Sequence, residues 1–414
     1  MIYRTGDNII SSLGFTTEEN FSAVKNGISG LKQYDAGTFD LPEAFVASLI
    51  DKERLNDEFN SHCKFPTTKD ADFSRNDNYT NFEKAAILSI CNANEEPQID
   101  LSSEKVLFIL STTKGNVDSL ALPKKDDHYP LSYGEGQGER CYLWRSAELI
   151  TGFFKNPNTP LVVSNACISG AAAQIVAMRE LDSGNYDYVV VAGVDFLSKF
   201  IISGFQSFKA LSSEICRPFD KNRCGLNLGE AAATIIFSRD ARLSDARQEA
   251  QDTRYKTIFS LVDGVIRNDA NHISAPSRTG EGSYRALKYI LSNSLASNSL
   301  ASNLSFISAH GTATPYNDAM EVNAIVRAGL EYVPVNSLKA FFGHTLGAAG
   351  ALESIISMKA LEENISLKSM NFDEYDFENQ INISRENQYS DKKYFIKMLS
   401  GFGGVNAALL FEKT

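Results

Sequence analysis

Uninterrupted apolar runs recur along this chain, separated by stretches rich in helix formers. Val106-Leu107-Phe108-Ile109-Leu110-Ser111 is short, aliphatic and unbroken, the pattern of a strand buried on both faces. Pro160-Leu161-Val162-Val163, residues 188–195 and Phe306-Ile307-Ser308-Ala309 read the same way, and residues 333–339 give a shorter strand candidate. Between them, residues 81–90, 144–154 and 170–181 carry helical spacing and helix formers. Thr16-Thr17-Glu18-Glu19 has the form of a capping box and predicts a short helix ending near Gly27. Strands alternating with helices predict an α/β protein. Residues 35–80 and 113–140 are polar and punctuated by proline, and read as loops with short helical pieces. Residues 292–305 repeat every five residues, a period of neither helix nor strand; they read as the frayed end of a helix begun at Tyr284, or as a loop.

One pattern occurs twice. Residues 225–237 pass from a glycine turn through small residues to an aliphatic strand closing on Phe237, and residues 400–411 do the same and close on Phe411. The repeat predicts two similar halves, residues 1–245 with the candidate nucleophile below and residues 246–414 with two candidate histidines. They are joined through a charged stretch at 239–256.

Composition narrows the function. With 414 residues the chain is long enough for two core-forming units, and 43% hydrophobic content is a globular value. A net charge of −11, with no Lys/Arg run longer than two, argues against a nucleic-acid surface. Six cysteines without a C-x-x-C pair suit a reducing compartment. With no leader-like start and no apolar run of membrane-spanning length, the expectation is a cytoplasmic protein with no membrane insertion.

Candidate chemistry centres on Cys167, at the turn between the 160–163 strand and the 170–181 helix. Free amides and the positive dipole end of a helix favour a thiolate there. Of five histidines, His310 and His344 sit beside glycines at strand ends, where open α/β folds place function. Two such histidines with an activated cysteine make a catalytic constellation. His62 reads as solvated. So does His128, although Asp126 and Asp127 beside it raise a metal reading that is set aside; no metal site is expected.

The residues carry a resemblance. Asn165-Ala166-Cys167-Ile168-Ser169-Gly170, His310-Gly311-Thr312-Ala313-Thr314-Pro315 with Asp318 and Glu321, Lys339 before Gly343-His344, Gly347-Ala348-Ala349-Gly350 with Glu353, and Gly401-Phe402-Gly403-Gly404 together resemble a β-ketoacyl-acyl carrier protein synthase of the elongating, Cys-His-His type. The match is specific from residue 160 onward and diffuse before 155. It implies the thiolase fold, two similar halves in five α/β/α/β/α layers. It implies a decarboxylating Claisen condensation of a Cys167-bound acyl group with a malonyl thioester, in fatty-acid or related polyene or polyketide synthesis. His310 and His344 would stabilise the enolate, and Lys339 with Glu353 would hold the site's electrostatics, with Asp318 and Glu321 in support. The amides of Cys167 and Phe402 would form an oxyanion hole. Thr312, Thr314 and Ser274 would meet the pantetheine arm, and Phe402 and Phe205 would gate the acyl pocket. The resemblance implies no cofactor beyond the phosphopantetheine of an acyl carrier protein, for which Lys209 is a candidate contact. It further implies a homodimer, or a heterodimer with a related subunit.

The family's usual Phe-Gly-Phe-Gly-Gly is here Ser400-Gly401-Phe402-Gly403-Gly404, and its histidine-Met-Thr segment is His272-Ile273-Ser274. Residues 110–140, over the acyl pocket, match poorly, which leaves the acyl substrate open. Two other readings stand beside the main one. A non-catalytic chain-length-factor-like subunit would typically lack the nucleophile. A thiolase or initiating synthase would carry a Cys-His-Cys or Cys-His-Asn set.

Overall fold

The computed structural model describes residues 1–63, 79–117, 141–240, 258–293 and 300–414. Ten strands form the main sheet: β1 (Ile2–Ser11), β2 (Val106–Ser111), β3 (Leu161–Val163), β4 (Tyr188–Asp195), β5 (Ala231–Ser238), β6 (Phe259–Asn268), β7 (Leu304–Ser308), β8 (Val335–Asn336), β9 (Tyr394–Gly401) and β10 (Val405–Lys413). Their spatial order is β3-β2-β4-β5-β1-β6-β10-β9-β7-β8. The last five strands repeat the order of the first five. They also repeat the directions: β1–β5–β4 antiparallel then β4–β2–β3 parallel, and β6–β10–β9 antiparallel then β9–β7–β8 parallel. Within the sheet, the two half-sheets are joined by the ladder in which Ile2 pairs Leu261 and Tyr3 pairs Ser260.

Among the described residues nine helices run to nine residues or more: α1 (Thr17–Lys25), α2 (Lys52–His62), α3 (Asn81–Ala93), α4 (Leu143–Phe153), α5 (Ser169–Asp182), α6 (Lys199–Ser207), α7 (Glu281–Asn293), α8 (Pro315–Arg327) and α9 (Ala349–Glu362). Both α5 and α9 touch strands of the two half-sheets, so they form a layer between them. α9 is buried without a break from Ala349 to Met358, as a helix apolar all round must be. α3 covers the outer face of the first half-sheet, and α7, with α8 against it, covers that of the second. The result is the expected five-layered α/β/α/β/α thiolase fold with two similar halves. The expected boundary after residue 245 lies outside the described residues, as do His128, Asp126, Asp127 and most of 113–140.

Some elements depart from the pattern reading. β1 is polar in sequence yet buried along nearly its whole length. Its polar groups are satisfied inside the protein: Arg4 pairs with Asp7 at 3.0 Å, Thr17 donates to Asp7 at 2.7 Å, and Asn8 donates to the Phe15 carbonyl. α2 forms within a stretch read mainly as loop; Asp51 caps it by accepting from the Glu53 and Arg54 amides, and only Leu55 and Phe59 face the core. The expected strand at 333–339 pairs only at Val335–Asn336 and turns helical at Lys339–Phe342. The capping box is as expected, with Thr16 and Glu19 exchanging hydrogen bonds at the start of α1. His62 is exposed at the end of α2.

Candidate active site

Cys167 lies between β3 and α5, with Ala166 before it in the left-handed region at φ 46°. The turn is held by the Asn165 amide donating to Ser169 Oγ at 2.8 Å and that hydroxyl donating to the Ala166 carbonyl at 2.6 Å. α5 and α9 meet backbone to backbone: a Cβ on Gly350 would lie 2.3 Å from the Ala171 nitrogen. That contact draws the start of α5 toward the loop carrying His344. Cys167 is buried, and burial pushes its thiol up to about 11, although Lys114, Lys339 and a hydrogen bond from the Phe402 amide pull the other way. Desolvation thus opposes the expected bias toward a resting thiolate.

The Cys167, His310 and His344 ligand atoms lie within 4.8 Å of one another. The two imidazoles sit 5.0 Å apart and nearly perpendicular. His310 follows β7, and Glu321 on α8 accepts from the His310 and Gly311 amides, both at 2.7 Å. His344 Nδ1 accepts from the Leu346 amide at 3.3 Å, which leaves Nε2 as the protonated nitrogen, and Nε2 is buried without a partner. Burial and then the Lys339 charge hold both imidazoles well below their ordinary pKa, with Lys397 adding to the effect. They are neutral at neutral pH, and His310 Nδ1, like His344 Nε2, is buried without a partner.

Behind them lies a buried charge cluster. Lys339 pairs with Glu353 Oε1, and Lys397, on β9, pairs with Glu353 Oε2 at 2.5 Å. Asp318 accepts from the Phe219 amide at 2.7 Å and so ties the 217–224 turn to α8. Burial pushes the Asp318 carboxyl up to about 7. Asp318 therefore shapes the site wall from behind.

The cavity in front has a volume of about 450 Å³ and reaches Cys167, His310 and His344. Phe205 on α6 stacks on Phe402 at 6.0 Å, and Phe208 meets Phe402 edge-on at 5.6 Å. Phe402 is 40% exposed, on the turn between β9 and β10. Thr312 and Thr314 share a 2.9 Å hydrogen bond and line the cavity, as do Ser274 and Lys209. Every site residue singled out from the sequence thus stands at this cavity or directly behind it. Sequence reasoning missed Phe208, Lys114 and Lys397. Phe208 is one residue from Lys209, and its signal was an aromatic beside a small-residue turn. Lys397 gave none, being one polar residue in an apolar strand. A Cys-His-His set also offers metal-ligand atoms, but two buried ammonium groups behind it oppose a cation.

Two family models match: "Beta-ketoacyl synthase, N-terminal domain" over residues 149–242 and "Beta-ketoacyl synthase, C-terminal domain" over 259–373. The chain is 32% identical over 274 residues to 3-oxoacyl-[acyl-carrier-protein] synthase 2 of Rhizobium meliloti, a match covering 63% of this chain and 61% of the relative. Among solved structures, the ishigamide ketosynthase/chain length factor superposes with a TM-score of 0.83 at 24% identity, over 99% of this chain and 98% of that one. A type II polyketide synthase acyl-carrier protein in complex with its hexaketide-bound ketosynthase gives 0.79 at 21%, over 99% and 98%. At such identities these structures speak to the fold. No helix among the described residues is long and apolar enough to cross a membrane. With both domain models in chain order over about half its length, and the repeated sheet beneath them, the chain belongs to the β-ketoacyl synthase family.

Proposed function

We propose that this protein condenses an acyl group with malonyl-acyl carrier protein to give 3-oxoacyl-acyl carrier protein and carbon dioxide. The observation that carries the reading is the convergence of one cysteine and two neutral histidines on one cavity. In the first step Cys167 sulfur attacks the thioester carbonyl of an acyl carrier. The carrier thiol leaves with the proton that Cys167 gives up, and the Cys167 and Phe402 amides receive the oxyanion. In the second, the bond from the malonyl α-carbon to its carboxylate breaks. Its electron pair becomes the enolate, whose oxygen accepts hydrogen bonds from His310 and His344. In the third, the enolate carbon attacks the Cys167 thioester carbonyl. The oxyanion forms in the same hole and collapses to the 3-oxoacyl thioester, and Cys167 leaves as the thiolate and takes a proton from solvent.

The reaction needs no cofactor of its own, because the pantetheine arm arrives with the substrate. Thr312, Thr314 and Ser274 would hold that arm, and Lys209, exposed at the cavity, would meet the acidic carrier. The dimer or heterodimer, and a cytoplasmic setting beside the carrier pool, belong to the same proposal. Retention of Cys167, His310 and His344 together disfavours a non-catalytic partner subunit. His344 where a thiolase or initiating synthase carries Cys or Asn disfavours those enzymes. The test is formation of 3-oxoacyl-carrier from acyl- and malonyl-carrier, with Cys167→Ala as control. Product from wild type alone supports the reading. Product from both, or from neither across a panel of acyl chains, rejects it.

A further inference from the structure

Lys397 is a lysine in the middle of a core strand, between Ile396 and Met398, with 0% of its surface exposed. Its ammonium reaches the end of β7. It donates to the Ala309 carbonyl at 2.9 Å, the Ser308 carbonyl at 3.1 Å and Ser308 Oγ at 3.3 Å. The next residue is His310, whose amide, with that of Gly311, is held by Glu321. The segment that presents His310 is thus gripped by its carbonyls from β9 and by its amides from α8. The same ammonium takes Glu353 Oε2, while Lys339 takes Oε1, so one carboxylate serves two cations. Burying an ammonium is expensive, and a methionine or leucine would fill the strand position without that cost.

We propose that Lys397 is a positioning residue for His310, clamping the end of β7 and adding a second buried positive charge behind the point where the enolate forms. The kinetic part rests on the condensing-enzyme reading above. The groups that face Lys397 are Glu353 on α9, Lys339 on its short helical turn and Glu321 on α8, and both histidines feel its charge. Burial brings its own pKa down to about 8, so the charge is present at neutral pH and lost above it.

The test compares wild type with Lys397→Met and with Lys397→Gln, which keeps a donor for the Ser308 and Ala309 carbonyls but no charge. The first readout is the His310 imidazole titration by NMR. Removing the ammonium moves the His310 midpoint up in both variants. The second is malonyl-thioester decarboxylation against pH. Wild type loses rate above about pH 8. The Met variant loses on the order of 10² in rate, the scale of one lost electrostatic contribution, with a smaller loss in Cys167 acylation, and lacks the alkaline limb. The Gln variant recovers part of the rate without recovering the limb. An unmoved His310 midpoint in both variants overturns the proposal, as does equal loss of acylation and decarboxylation. Wild type with no decarboxylation at all rejects the condensing-enzyme reading instead, and the His310 titration then decides Lys397 alone. Should the Met variant fail to fold, the Gln variant carries both readouts.

Discussion

At the scale of single residues the site balances desolvation against fixed charge. With the Cys167 thiol raised to about 11, the thiolate fraction grows throughout the neutral and mildly alkaline range. Alkylation of Cys167 by iodoacetamide should therefore accelerate roughly tenfold per pH unit from pH 7 to 10, since the thiolate is the nucleophile. A plateau below pH 8 would mean that the helix end wins after all. The histidines divide the work differently. His310→Ala or His344→Ala should slow malonyl decarboxylation on the order of 10²–10³, the loss of one oxyanion donor, and leave acylation measurable. Equal loss of both half-reactions contradicts the assignment. Lys397 carries a stability signature too. Its pKa falls from 10.5 to about 8 on folding, so the unfolded chain binds more protons between those values. Wild-type stability relative to Lys397→Met should rise with pH across that window, by up to about 3 kcal/mol at about 1.4 kcal/mol per unit, measured by denaturant titration. Cys167, His310 and His344 were legible in the sequence because each ends an apolar run beside small residues. Lys397 was not, because its partners Ser308, Ala309 and Glu353 come from elements far away in the chain.

At the scale of elements, the site depends on two helices lying closer than side chains allow. Cβ atoms at Gly170 and Gly350 would both strike the opposite backbone, the former at 2.9 Å from Ala351 nitrogen. Gly350→Ala should push α9 from α5, cost about 1–3 kcal/mol as overpacking does, and slow malonyl decarboxylation by moving His344 away. A variant with wild-type melting temperature and decarboxylation rate would show that the contact is loose. Apolar strands β2 and β4 and helices α3 and α5 were readable because burial on both faces or one stripe leaves a period. β1 was not readable: it lies at the centre of the ten-stranded sheet, yet Arg4 pairs with Asp7 within the strand, and Asp7 and Asn8 gain the contacts to Thr17 and Phe15 only once that segment folds over it. α2 was unreadable for the opposite reason, since it buries only Leu55 and Phe59 and owes its start to Asp51.

At the scale of the molecule, the glycine-turn-to-strand repeat at 225–237 and 400–411 was the visible trace of a duplicated sheet order. It placed β5 and β10 at matching positions but could not show that the two half-sheets are joined edge to edge through Ile2–Leu261 and Tyr3–Ser260. One end of the sheet is β3, three residues long, with no strand on its outer side among the described residues. An open edge invites pairing with a second chain, and β3 leads directly to Cys167. The Val163 carbonyl accepts from Thr112, toward β2, so the Val162 amide points outward. If this edge carries the proposed dimer contact, Val162→Pro converts dimer to monomer in light scattering and reduces acylation; an unchanged dimer would place the interface elsewhere. The central claim is that Cys167 carries the growing chain, and intact-mass spectrometry after incubation with acyl-carrier thioesters tests it most directly. Wild type should gain the mass of the acyl group and lose it again on addition of malonyl-carrier, while Cys167→Ala gains nothing. An acyl adduct that persists in Cys167→Ala, or an acylated wild type that malonyl-carrier never discharges, would contradict the account.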